Sequence, residues 1–339
     1  MPPISFTIFE IGVYVLTLFC LRHAWRRARY LTIAFVIMFV YCLATEIFAI
    51  NLLKEYYYNS FLIMICHNPL GFGVQMSCAT PANSCVPLAI PLMEGTVIYA
   101  AIETSNRLKL PWAVRPVLDG FMAISIDLVM DPIVSASLNC GPGAPHATVE
   151  PGLGFWVWPL LPERTVLGIT LPQHLLFGIP LNNFMGWFLG IIIFSFMLRV
   201  GWRWIPPESK GFFGDLVAPV LAIPATLLTF TGVIYVYELL IKYVVGSEWI
   251  LAAIIVGAGI LLIAAFARHA KRDNPIDPII MAVPMLFQIY FLAALFAGNL
   301  YRDEPDLILL SAVMFPVSVL LFSWPYLQKI APAIGAART

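Results

Sequence analysis

Long apolar runs separated by short polar connections dominate the chain. A membrane-spanning helix needs about 20 mostly apolar residues. Nine stretches fit that template: 4–21, 30–50, 86–104, 116–136, 180–198, 216–241, 249–267, 277–298 and 307–326. Segment 61–66 is apolar but too short to cross. The pattern predicts an all-α polytopic transmembrane helical bundle of about nine spans. A single integral membrane domain then covers 1–339, with long connections only at 51–85 and 137–179.

Composition agrees with the pattern. The 339 residues are 60% hydrophobic and 11% charged, and the mean hydropathy is +0.88, whereas soluble domains carry about 25% charge. A formal net charge of zero and the lack of a basic tract argue against nucleic acid as a partner. The first apolar segment has neither a charged leader nor a small-residue cleavage site, so it is read as a retained span.

Charge position adds orientation. Of the 19 lysines and arginines, fifteen fall on one side of the nine-span arrangement, and only Lys54, Arg164, Lys242 and Arg302 fall on the other. The positive-inside rule then predicts an outer N-terminus and a cytoplasmic C-terminus, in a cell's inner (cytoplasmic) membrane. Both long connections become outer loops, carrying Cys66, Cys78, Cys85 and Cys140. One disulfide is expected in that oxidising compartment, Cys78 with Cys85 or Cys66 with Cys140.

The acidic residues change the picture most. An ionised side chain at mid-membrane costs about 3 kcal/mol on insertion scales. At 1.5 Å per helical residue, Glu10, Glu46, Glu94, Asp127 and Asp131 lie roughly 6–13 Å below the outer helix ends. Those spans offer no lysine or arginine at that depth. A buried carboxyl with no cation nearby keeps its proton, the state that general acid catalysis requires. Asp127 and Asp131 share a helix face at i, i+4 in IDLVMDP, and Pro132 removes a backbone donor beside them. They and Glu94 are the candidate catalytic residues, against the plainer reading that they cap a kink or bond neighbouring helices. Asp119, at the cytoplasmic start of its helix, and Glu103, near a cytoplasmic helix end, are expected to be structural.

Further polar and aromatic groups gather toward the second outer loop. Trp156 and Trp158 form either an interfacial belt or an aromatic wall able to stabilise a cation. His174 stands alone on an apolar stretch and is expected to pack. In FGIPLNNFMGW (177–187), one of Asn182 and Asn183 is expected to cap the helix and the other to face a neighbouring carboxyl such as Asp131. No metal-ligand spacing and no dinucleotide fingerprint occurs in the sequence, so neither a metal nor a cofactor is expected.

Three blocks in order, DLVMDP (127–132), WVW (156–158) and FGIPLNNFMGW (177–187), resemble an integral-membrane carotenoid biosynthesis family that includes bisanhydrobacterioruberin hydratase and the γ-carotene hydratases. The resemblance implies a hydro-lyase that adds water across a terminal double bond of an acyclic carotenoid or other polyprenoid. Asp127, Asp131 and Glu94 would act on the alkene, and Trp156, Trp158, Asn182, Asn183 and Trp187 would line the substrate. The rival readings are a non-catalytic carotenoid- or quinone-binding subunit, in a larger membrane complex, and a proton-coupled transporter. The latter usually shows internal repeats, and none is evident between the two halves of this chain.

Overall fold

A computed structural model describes residues 4–50, 56–59, 61–66, 85–108, 110–139, 154–207, 211–267 and 278–336. All nine apolar segments are helical: α1 (Ile4–Arg27), α2 (Arg29–Phe48), α3 (Ala89–Asn106), α4 (Arg115–Val134), α5 (Leu181–Trp204), α6 (Gly211–Leu240), α7 (Glu248–Ala267), α8 (Pro278–Ala297) and, after the short α9 (Leu300–Asp303), α10 (Asp306–Ala336). A π turn, Ile241–Val245, extends α6 until Gly246 takes the left-handed conformation and stops it.

Among the described residues, seven helices are long and apolar enough to cross a bilayer, which makes this a multi-pass membrane protein. The other two of the nine, α3 and α4, contain Glu94, Glu103, Asp119, Asp127 and Asp131. They tolerate this polarity because they are the interior of the bundle. Helix α3 packs against α1, α2, α4 and α8, while α4 packs against α5, α8 and α10. By contrast only 22% of the apolar window of α7 is buried, so its uniformly hydrophobic surface suits lipid.

Glycine sets the closest approach of the central pair to its neighbours. A Cβ at Gly95 would stand 3.2 Å from the backbone nitrogen of Phe39, so α2 and α3 meet almost backbone to backbone there. A Cβ at Gly120 would stand 2.8 Å from the Ile192 side chain of α5.

The connections read as loops hold short strands, a departure from an all-α expectation. β1 (Tyr57–Tyr58), β5 (Trp156–Leu160) and β4 (Ala136–Asn139) form a three-stranded sheet. Three hairpins accompany it: β2 (Met64–Cys66) with β3 (Cys85–Pro87), β6 (Glu163–Val166) with β7 (Ile169–Pro172), and β8 (Leu175–Leu176) with β9 (Ile179–Pro180). Leu167-Gly168 and Phe177-Gly178 turn the last two hairpins with positive φ at both residues, as two-residue primed turns require. A disulfide joins Cys66 to Cys85 across the β2–β3 register. This replaces both expected pairings, because strand pairing brings these two cysteines face to face. Cys78 and Cys140 lie outside the described residues.

Candidate functional site

The acids sort into two groups by what they touch. At the end of the bundle away from the strands, each described acid meets a guanidinium. Arg199 Nη1 lies 2.7 Å from Asp119 Oδ2, Arg107 Nη2 lies 3.3 Å from Glu103 Oε2, and Arg29 Nε lies 2.6 Å from Asp215 Oδ2. The structural reading of Asp119 and Glu103 fits these contacts, with ion pairing added to any helix-dipole effect.

Beneath the strands, Glu46, Glu94, Asp127 and Asp131 lie within electrostatic reach of one another, all almost fully buried. Glu10 is different. It accepts backbone N–H bonds from Leu62 (2.7 Å) and Ile63 (2.9 Å) and a bond from the Tyr14 hydroxyl. It tethers the first strand-bearing connection to α1.

Glu46 is the best-satisfied member of the group. The Tyr56 hydroxyl donates to it at 2.8 Å, Tyr58 donates as well, and Glu94 is its neighbour on the wall of the same cavity. Burial, with the neighbouring Glu46 carboxyl, pushes both phenols well above the ordinary tyrosine value, so they stay donors.

Asp131 accepts a hydrogen bond from Asn183 Nδ2 at 2.5 Å, the carboxyl–amide contact that the doorway sequence predicts. The capping half of that expectation does not hold. Helix α5 begins at Leu181 with Pro180 at the N-cap position and no side-chain cap, so both asparagines sit inside the first turn. Asp127 is 1% exposed, and neither of its carboxyl oxygens has a hydrogen-bond partner among the described residues.

A cavity of about 270 Å3 opens beside these acids. Its walls come from α2, α3, α5 and α6, with Tyr56 and Val166 closing the strand side. Of the candidate residues, Glu94, Asn182, Asn183 and Trp187 line it. Asp127 and Asp131 do not; Asp131 reaches it only through Asn183. Trp156 and Trp158 do not line it either. They are 4% and 2% exposed, ruling out a headgroup belt, and they pack behind the phenols, Trp158 at 4.5 Å from Tyr56 and Trp156 at 5.9 Å from Tyr58. Strand pairing causes this, since β5 runs beside β1 and aligns the two aromatic pairs.

Sequence reading misses Glu46 as a lining group, and also Tyr56, Tyr41 and Glu238. The depth of Glu46 marks it as a buried acid, but its phenol donors lie in a connection whose fold the pattern does not reveal. His174 is partnered: its Nδ1 lies 3.2 Å from Glu248 Oε2. Among the described residues there is no grouping of His, Cys, Asp and Glu fit to hold a metal ion. No protein-family model, curated protein or solved structure matches this chain.

Proposed function

We propose that this protein is a membrane-embedded hydratase adding water to the terminal double bond of an acyclic isoprenoid, a carotenoid end group being the preferred substrate. The observation that carries the reading is the Glu46–Glu94 carboxyl pair, both buried and both lining a mainly apolar slot with no cation on its described walls. Such a slot suits hydrocarbon, and two neighbouring carboxyls that share a proton suit an alkene, which protonation activates. The volume supports an end group rather than a whole polyene, because pockets for complete drug-sized ligands run about 300–1,000 Å3.

In this reading Glu94 gives its proton to the less substituted alkene carbon, and positive charge develops on the tertiary carbon. Tyr41, Trp187 and Phe230 line the slot, and aromatic rings stabilise a cation as they do an ammonium. Water held near Asn182 and Asn183 attacks that carbon. The water proton returns to the carboxyl pair, restoring the acid and leaving a tertiary alcohol. Asp131, held by Asn183, orients the amide that orients the water. The acid role thus moves from Asp127 and Asp131 to Glu94, with Glu46 as its partner.

Partly exposed Ala44, Thr45 and Phe48 on α2, and exposed Thr231 on α6, border the slot. Substrate would enter sideways from lipid between these helices. A nine-span bundle with the strands outside and the C-terminus in the cytoplasm would bring the slot to the outer leaflet.

Expression in cells that make acyclic carotenoids tests the reading. Pigment heavier by one water is expected from wild type. Glu94→Gln should lower product formation at least about 100-fold, as removal of a general acid does. Pigment that co-purifies with unchanged mass would favour a binding subunit instead.

A further inference from the structure

Helices α5 and α6 touch at one end and part toward the other. A Cβ at Gly201 would stand 2.9 Å from the Ala218 side chain and 3.2 Å from its Cα, so glycine there is what lets the two backbones meet. The slot opens farther along the same pair, where Gly190 of α5 and Phe230 of α6 both line it.

Gly190 has no such reason to be glycine. It sits inside α5 without a positive φ, and there glycine weakens a helix relative to alanine. A Cβ added to it would find the Tyr41 hydroxyl at 3.4 Å and ring carbons of Phe230 at 3.7 and 3.9 Å, ordinary contact distances. The chain thus leaves a hole of one methyl's size between residues of three helices. All three residues line the slot, which makes the hole a notch in its wall. Tyr41 is held in place, donating to the Gly190 carbonyl oxygen at 3.3 Å and stacking on Phe194 with ring centroids 4.3 Å apart. One oxygen and two aromatic carbons are the nearest neighbours of that point, a poor seat for water, which needs several polar partners.

The notch distinguishes two kinds of hydrocarbon. An unbranched chain has nothing to put in it and leaves a void whose lining loses contacts. An isoprenoid carries a methyl branch on every fourth carbon and can fill it. We propose that Gly190, with Tyr41 and Phe230, is the specificity element of the slot: it seats one methyl group of the substrate and so prefers isoprenoid ends to unbranched chains. This rests on the hydratase reading for the slot being the substrate site, and adds the feature by which that site recognises its substrate.

The test is competition binding to the full-length protein in lipid nanodiscs. Radiolabelled geranylgeraniol is displaced either by unlabelled geranylgeraniol or by its analogue with the same backbone and no methyl branches. Competitors are compared at equal mole fraction in the lipid, so that partition into the bilayer cancels. Wild type is expected to bind geranylgeraniol at least about threefold more tightly than the analogue, the effect of one methyl-sized void. Gly190→Ala fills the notch with the protein's own methyl. It should lose at least about fivefold of the geranylgeraniol affinity, as overpacked contacts do. Its affinity for the unbranched analogue should stay at the wild-type value, and it should unfold no earlier than wild type. Equal binding of the two probes by wild type overturns the proposal, as does a Gly190→Ala protein that binds geranylgeraniol unchanged or weakens for both probes alike. If Gly190→Ala unfolds early, the wild-type comparison still decides. Methyl-selective binding with pigments of unchanged mass would sink hydration and leave this inference standing. Hydrated pigment with no selectivity between the probes would sink this inference alone.

Discussion

Asp119 on α4 and Glu46 on α2 are both buried carboxyls, and their partners differ in kind. Asp119 faces Arg199 and the Ser195 hydroxyl at 2.5 Å. Removing its charge strands a buried guanidinium, so Asp119→Asn should cost about 3–5 kcal/mol, read as a lowered thermal unfolding midpoint in detergent. Glu46 has phenols and a carboxyl instead, and Glu46→Gln keeps an acceptor for the tyrosines. It should therefore unfold close to wild type while losing activity with Glu94. Midpoints in the reverse order would contradict this division. Much of the residue-level picture is legible in the sequence: the unbalanced acids stand out by depth, and the contact of one asparagine with Asp131 follows from helix geometry. What is not legible is the choice among the acids. The role proposed for Glu94 depends on Tyr56 and Tyr58, which reach Glu46 only because a connection folds back as β1.

Helices follow from hydropathy because each span satisfies its own backbone hydrogen bonds, which hydrocarbon demands. The segment 86–104 becomes Ala89–Asn106 and 116–136 becomes Arg115–Val134, shifts of one turn or less. The strands are another matter. They are two to five residues long, and two of their hairpins turn on Leu167 and Phe177 at positive φ, residues that do not announce a turn. Packing of elements depends on small residues in ways that can be tested. Gly95→Ala drives a methyl against the α2 backbone and should cost about 1–3 kcal/mol. It should also reduce activity, since α2 and α3 carry the two partners of the carboxyl pair. Gly12→Ala on α1 meets nothing within 4 Å and should cause no loss. Equal stability of the two variants by thermal unfolding would refute tight α2–α3 contact.

For the molecule as a whole, polarity is layered. Asp119, Glu103 and Asp215 meet guanidiniums at one end; toward the other lie the acids without a cation, with Arg164 of β6 serving Glu238 and Glu248 beside them, and the strands cover that end. The excess of basic residues at the first end is the reason to expect it in the cytoplasm. In a background with Cys20, Cys42, Cys78 and Cys140 changed to alanine, a membrane-impermeant thiol reagent should label Thr165→Cys on intact cells. It should reach Phe213→Cys only after permeabilisation; the reverse labelling would invert the bundle. Whether the carboxyl pair adds water to an alkene inside the membrane can be read from an isotope. Purified protein would be given an acyclic carotenoid in oxygen-18 water and the product analysed by mass spectrometry. One heavy oxygen per modified end is expected, at a tertiary carbon, with Glu94→Gln and Glu46→Gln both close to background. Unmodified carotenoid, or a product oxygen that does not come from water, would contradict it.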